Sequence, residues 1–389
     1  MINSIPTEEF KDRIKMLQNK MIEEKLDIII TFGNEAEPQY VRYFSDYWPS
    51  FETAGVLIPM KGNPTLLIGP ESFTYSKAWS KIENIKRLKE YRESSEPEYP
   101  GDVLTTFNDL FKEVINTTSN RRIGIVGYSL MPTPIYKSIL ESAKLFNYKV
   151  VRAENLVIDM KQIKSKNEIN IMRNAASISE RAFENVLSVI KPGMTETQVV
   201  GEAENFIRKF GAESEAYPMW CISGENTNQA IARPTHRVIK EHELVQIQIG
   251  ARLGGYASSI GRPIVFGNAS KEILNLMEIG LEAQKTIIQN LREGVEARKI
   301  DLMYRKFLKE NNAGDCVLYG TCHGIGLMEG EHPWIESNSE FYLKENMTFC
   351  VDIFLKKDSF GLRLEDVVRI KKDGVEEFST KFKEVLVIK

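Results

Sequence analysis

Hydrophobic positions recur with a helical period in some stretches and a strand period in others, and the two alternate along the chain. Glu8 to Lys25 carries apolar residues three and four apart, which predicts a helix. Leu26-Asp-Ile-Ile-Ile-Thr-Phe32 follows as an almost continuous apolar run, the pattern of a buried strand. Ala54 to Pro59 and Pro64 to Ile68 predict a hairpin turning at Lys61-Gly62-Asn63, and Arg122 to Gly127 another short buried strand. Thr133 to Phe146 is helical in period, with Pro134 suited to its first turn. Together these predict a small α/β domain with a mixed sheet.

Ile158 to Ser165 reads as a junction, giving domains at 1–157 and 158–389. Beyond it, Lys166 to Ile190 is a long helical pattern stopped by Lys191-Pro192-Gly193-Met194, and Thr195 is placed to cap a second helix running to Phe210. Strands follow to Phe266, then helices over Ser270 to Asn290 and Ala297 to Asn311, then more strands. The order helix, helix, strands occurs twice and suggests an internal duplication, although no repeated motif accompanies it.

Composition narrows the partners. The length favours two domains over one. With 42% hydrophobic and 27% charged residues, the chain has the balance of a globular protein. A formal charge of −3 gives no electrostatic reason to expect nucleic acid or an anionic membrane as a partner. The amphipathic N-terminus lacks the apolar core of a signal peptide, and no run approaches the roughly 18 apolar residues of a membrane span. Cys221, Cys316, Cys322 and Cys350 show no CxxC spacing and read as small core residues, with Cys322 beside His323 at a pocket edge. A cytoplasmic protein is expected.

The candidate chemistry lies in the second domain. Glu243 to Phe266 alternates like two strands joined at the Gly-rich turn Leu253-Gly254-Gly255, where a metallohydrolase would carry acidic ligands. It holds no Asp, and its single Glu is Glu243. Downstream, Gly320-Thr-Cys-His323-Gly-Ile-Gly-Leu327, Phe349-Cys-Val-Asp352 and Leu362-Arg-Leu-Glu365-Asp366 supply a histidine and carboxylates. Half of a metal centre is legible and half is missing.

With Ser223-Gly-Glu-Asn226-Thr, Arg233-Pro-Thr-His-Arg237 and Ile249-Gly-Ala-Arg-Leu-Gly-Gly-Tyr256 added, the chain resembles the creatinase, prolidase and aminopeptidase P family (peptidase M24) over nearly its whole length. The resemblance implies an α+β fold, in which a C-terminal pita-bread domain is preceded by a smaller α/β creatinase-type N-terminal domain. It also implies a homodimer, and a hydrolase acting on a C–N bond of a short peptide or small nitrogenous compound. Metal-dependent members hold two divalent ions with two Asp, one His and two Glu. Carried onto this chain, those positions are Gln248, Ser259, His323, Asp352 and Glu365, so two acids are lost and one is shortened. Two further histidines usual in the family fall at Ile231 and Gly330, the latter with Glu329, Glu331 and His332 around it.

Two divalent cations about 3.5–4 Å apart repel and need bridging carboxylates. Asp352 and Glu365 bring two negative charges, while Gln248 and Ser259 offer only neutral oxygens, so a dinuclear site is not expected. The expectation is a metal-free pocket with no cofactor. The alternative is a single divalent ion (Mn, Co, Zn or Fe) on His323, Asp352 and Glu365. In the metal-free reading Asp352 and Glu365 grip a cationic nitrogen group, and His323 acts as general acid/base on the adjacent C–N bond. Gln248, Ser259, Tyr256, Trp220 and Arg262 are the substrate-binding candidates, although Arg262 is better suited to pair with an internal carboxylate than to touch substrate. Asp366, next to Glu365 in a strand, is expected to face the other way. Two competing functions stand beside this hydrolase: an Xaa-Pro dipeptidase or aminopeptidase running on one ion, and a non-catalytic pseudoenzyme that binds a small ligand.

Overall fold

Phe10, Ile14, Leu17 and Met21 form the buried stripe of the helix Thr7–Glu23, so the helical period of this segment is the one that packs. The computed structural model describes residues 4–93, 101, 103–114 and 119–388, and the chain divides after Lys161. In the first unit a six-stranded mixed sheet has the order Ile85–Arg87, Thr65–Ile68, Ala54–Pro59, Ile28–Thr31, Arg122–Val126, Lys149–Arg152. Ile28–Thr31 lies inside it, antiparallel to Ala54–Pro59 and parallel to Arg122–Val126, with all four residues buried. Burial on both faces explains why this strand reads as an unbroken apolar run. Helix Thr133–Leu145 starts with Pro134 in its first turn and packs Ile135, Ile139 and Ala143 into the same core as Ile123 and Ile125.

The second unit opens with helices Lys166–Val189 and Glu196–Lys209, each begun by a capping box: Ser165 with Glu168, and Thr195 with Gln198. A second pair, Lys271–Asn290 and Ala297–Glu310, follows the first group of strands, so the order helix, helix, strands does occur twice. The principal sheet has nine strands. Its main path runs Glu331–Ile335, Cys322–Gly324, Thr348–Lys356, Gly361–Lys371, Ile260–Phe266, Leu244–Ile249, Trp220–Ser223, every neighbour antiparallel. The strand period then sorts side chains to two faces. Ile353, Leu355, Leu362 and Leu364 join a core with Leu276, Met277, Ala283 and Ile287 of helix Lys271–Asn290. The helix lies close: a Cβ added at its Gly280 would meet Leu364 at 2.9 Å. Side chains of the other parity face a cleft.

Glu243 to Phe266 departs from a simple hairpin. Leu244–Ile249 and Ile260–Phe266 pair in the principal sheet, but Ala251–Leu253 and Tyr256–Ala257 leave it and join Ser214–Glu215 in a separate three-stranded sheet. The tip turns through Gly254 and Gly255 at φ +52° and +89°, as a two-residue type I′ turn requires. No helix among the described residues is long and apolar enough to cross a membrane.

Candidate active site

Cross-strand register assembles the site. On one face of the principal sheet Trp220 opposes Gln248, Gln248 opposes Gly261, Gly261 opposes Glu365, and Glu365 opposes Asp352. Directly opposed residues share a face, so five strands deliver one row. Cys350, two residues before Asp352, is on the same face and opposes His323. Gly261 is a gap in the row, since a Cβ there would overlap the Gln248 amide. Across that gap Gln248 Nε2 donates to Glu365 Oε2.

The carboxylates converge on His323. Its Nε2 lies 3.3 Å from Glu329 Oε1, 4.0 Å from Asp352 Oδ2 and 4.0 Å from Glu365 Oε1. Glu329 arrives from the loop after Cys322–Gly324, just past a register irregularity between His323 and Gly324. From the other side, Arg363 Nη1 donates to Asp352 Oδ2 at 3.2 Å and lies 3.9 Å from Glu365 Oε2. Arg363 Nη2 donates to Ala230 O at 2.7 Å, and the rings of Trp220, Tyr319 and Phe354 surround the guanidinium at 5.4, 5.6 and 6.0 Å. Tyr319 Oη also donates to Asp352, at 3.0 Å from Oδ2. Asp352 thus has a cation and a hydroxyl as partners. Glu365 Oε1, by contrast, is buried and has no hydrogen-bond partner among the described residues. Such an orphaned polar atom costs about 1–3 kcal/mol, more when charged, which a ligand contacting it would recover.

Protonation follows the same imbalance. Burial alone would depress the His323 imidazole, but Glu329, with Glu365 and Asp352 behind it, outweighs burial and lifts it to about 10. Burial drives the Glu365 carboxyl upward, and the charges of Asp352 and Glu329 push it further. Burial acts the same way on Glu329, but the adjoining His323 imidazolium prevails and holds that carboxyl low. The cluster carries more negative charge than its own cations neutralise, and takes up protons to make good the difference.

Of the residues singled out from the sequence, His323, Asp352, Glu365, Gln248 and Trp220 line one cleft of about 820 Å³. Ser259 is buried behind it, its Oγ 2.7 Å from the hydroxyl of Tyr217, which does line the cleft. Tyr256 lies elsewhere, in the three-stranded sheet, and donates to Glu168 Oε1 at 2.7 Å. Arg262 does not reach the cleft either. It opposes Ile247 on the reverse face and makes bonds of 2.7 and 2.8 Å to Asp366. Asp366 shares that reverse face, as its step from Glu365 along the strand requires.

Two residues join the cluster that the sequence did not single out as ligands. His323, Glu329, Cys350 and Glu365 each offer a ligand atom, and these atoms lie within 4.8 Å of one another. Glu329 sits in a loop between glycines, with no period to reveal its direction. Cys350 did carry a signal: it is two residues from Asp352 on an alternating strand.

Residues 170–372 match the model of metallopeptidase family M24, and residues 13–163 match that of the creatinase/prolidase N-terminal domain. The chain is similar to an Xaa-Pro dipeptidase of Pyrococcus furiosus, 27% identical over 379 residues, covering 97% of this chain and 100% of that one. Among solved structures it is similar to an X-Pro aminopeptidase of Thermotoga maritima (TM-score 0.84, 24% identity, covering 97% of this chain and 99% of that one). It is likewise similar to an Xaa-Pro dipeptidase of Bacillus anthracis (TM-score 0.83, 25% identity, covering 97% and 100%). The architecture expected, a creatinase-type domain before a pita-bread domain, is the one present.

The expectation of a pocket without a metal cofactor is overturned. The family matched over 170–372 is one of metallopeptidases, and four ligand atoms of the chain are gathered within 4.8 Å. Counting acids only at the family's usual ligand positions left out Glu329, which restores a negative charge, and Cys350.

Proposed function

Because the chain belongs to metallopeptidase family M24, and is accordingly a hydrolase of peptide C–N bonds, we propose that it cleaves a short peptide of the Xaa-Pro kind with the help of one divalent ion. Glu329, Asp352 and Glu365 bring three negative charges and Arg363 one positive. With His323 neutral, as a metal ligand must be, the excess is two, which one divalent cation balances and two would overshoot. Asp352 is engaged by Arg363 and Tyr319, so His323, Glu329 and Glu365 are the groups that would hold the ion. The buried, unpartnered Glu365 Oε1 is the observation that carries this reading. A second ion would have only neutral oxygens at Gln248 and Ser259, and these side chains are already bonded to Glu365 and Tyr217.

When bound, a divalent ion supplies Lewis acidity toward the peptide carbonyl and a water ionisable near neutral pH. The chain's own groups do the rest. The Glu329 side chain is 26% exposed against 13% for His323 and 0% for Glu365, so it is the group of the three most open to water and the one assigned to take a proton from water and return it to the leaving nitrogen. Trp220, Ile231 and Trp334 give the cleft an apolar wall for the residues flanking the scissile bond, and Arg233 and Glu336 offer charges for the two peptide termini. Arg363 already fills the place beside Asp352 that a substrate guanidinium would take, which favours a peptide over a guanidino compound. Four free, buried cysteines fit work in a reducing cytoplasm.

Protein stripped by chelator and reloaded with Mn(II), Co(II) or Zn(II) is to be assayed on Xaa-Pro dipeptides beside matched Xaa-Ala dipeptides. Metal-dependent cleavage of the Xaa-Pro series is expected. A rate indifferent to chelator, or no cleavage of any peptide, rejects the proposal.

A further inference from the structure

We infer that Cys350 is a fourth ligand of the ion, and that its sulfur selects a borderline-soft metal, Zn(II), Co(II) or Fe(II), over Mn(II) or Mg(II). This rests on the one-ion reading above and adds a ligand to it. Cys350 is free and buried in the strand Thr348–Lys356. Its neighbours Phe349 and Val351 belong to the hydrophobic core, whereas Cys350 has the parity of Asp352 and opposes His323. The thiol thus turns toward the charged cluster. Its Sγ lies within 4.8 Å of ligand atoms of His323, Glu329 and Glu365. The second, independent sign is Glu365, whose Oε1 in this same cluster is buried without a partner.

The donor set decides the metal. Imidazole and carboxylates suit Mn(II) and Zn(II) alike, but a thiolate favours the softer ions. On binding, the S–H bond breaks, the proton leaves to solvent, and the sulfur electron pair forms the metal–sulfur bond, with no change of oxidation state. The thiolate raises the excess from two to three, so the loaded site keeps one negative charge, which Gln248, donating to Glu365, and Tyr319, donating to Asp352, solvate without cancelling.

The test is a titration of the chelator-stripped chain with Co(II), followed by absorption. Saturation at one cobalt per chain is expected, with a near-ultraviolet sulfur-to-cobalt charge-transfer band. The band should vanish in Cys350→Ser and Cys350→Ala and persist in Cys316→Ser. In competition, Cys350→Ser should shift preference from Zn(II) toward Mn(II) by about tenfold or more. One bound cobalt without the band, or a band surviving in both Cys350 variants, overturns the inference and leaves the one-ion reading standing. Failure to bind cobalt or zinc at all overturns both. Should Cys350→Ser not fold, the parent's band and Cys350→Ala decide the matter.

Discussion

The row of side chains across the principal sheet has two ends of opposite character. From Trp220 through Gln248 to Gly261 it is neutral, and Ser259 behind it is bonded to Tyr217. From Glu365 to Asp352, and on to His323 and Glu329, it is acidic and incompletely satisfied. Both ends hang on the same antiparallel ladder, whose register depends on backbone bonds and on the apolar parity of the opposite face. Charge on the cleft side can therefore be lost without loss of the fold, and the count of ions follows side chains rather than architecture.

The comparison breaks most severely at the acidic end. His323→Ala and Glu365→Gln should each lower kcat/KM by roughly 10³-fold, on the order of 4 kcal/mol of transition-state stabilisation, with metal content falling in parallel by elemental analysis. Next comes the reverse face. Arg262→Ala leaves Asp366 buried with Lys383 as its remaining cation and should cost about 3 kcal/mol in urea unfolding while KM stays unchanged. Glu329→Gln, which keeps a ligand oxygen but loses the proton carrier, should lower kcat by roughly 10- to 100-fold with a smaller change in KM, and metal content should fall less than in His323→Ala.

The smallest effect concerns pH. His323, at about 10, and Glu365, also raised, both hold protons at neutral pH that an ion must displace. Metal affinity should therefore rise with pH through the neutral range and level off only above about 10. Calorimetric titration with Zn(II) in buffers of different ionisation enthalpy reads the released protons directly.

Much of this was legible in the sequence. The family resemblance placed Asp352 with Glu365, alternation turned Asp366 away, and Thr195 caps the helix Glu196–Lys209 as its position before the helical period implied. What escaped lacks a period. Glu329 reaches His323 from a loop beyond a break in register. The Gln248 bond to Glu365 needs the space left by Gly261, a fact of three strands together rather than of any one. Tyr256 departs because its ribbon leaves the principal sheet, which an alternating pattern does not announce.

Metal stoichiometry, compared between the parent chain and Gln248→Asp/Ser259→Asp, tests the role of the neutral end most directly. One divalent ion per parent chain and two per variant chain, measured at saturating Mn(II) or Zn(II), is the predicted result. Two ions already bound by the parent, or a variant that still holds only one, would contradict it.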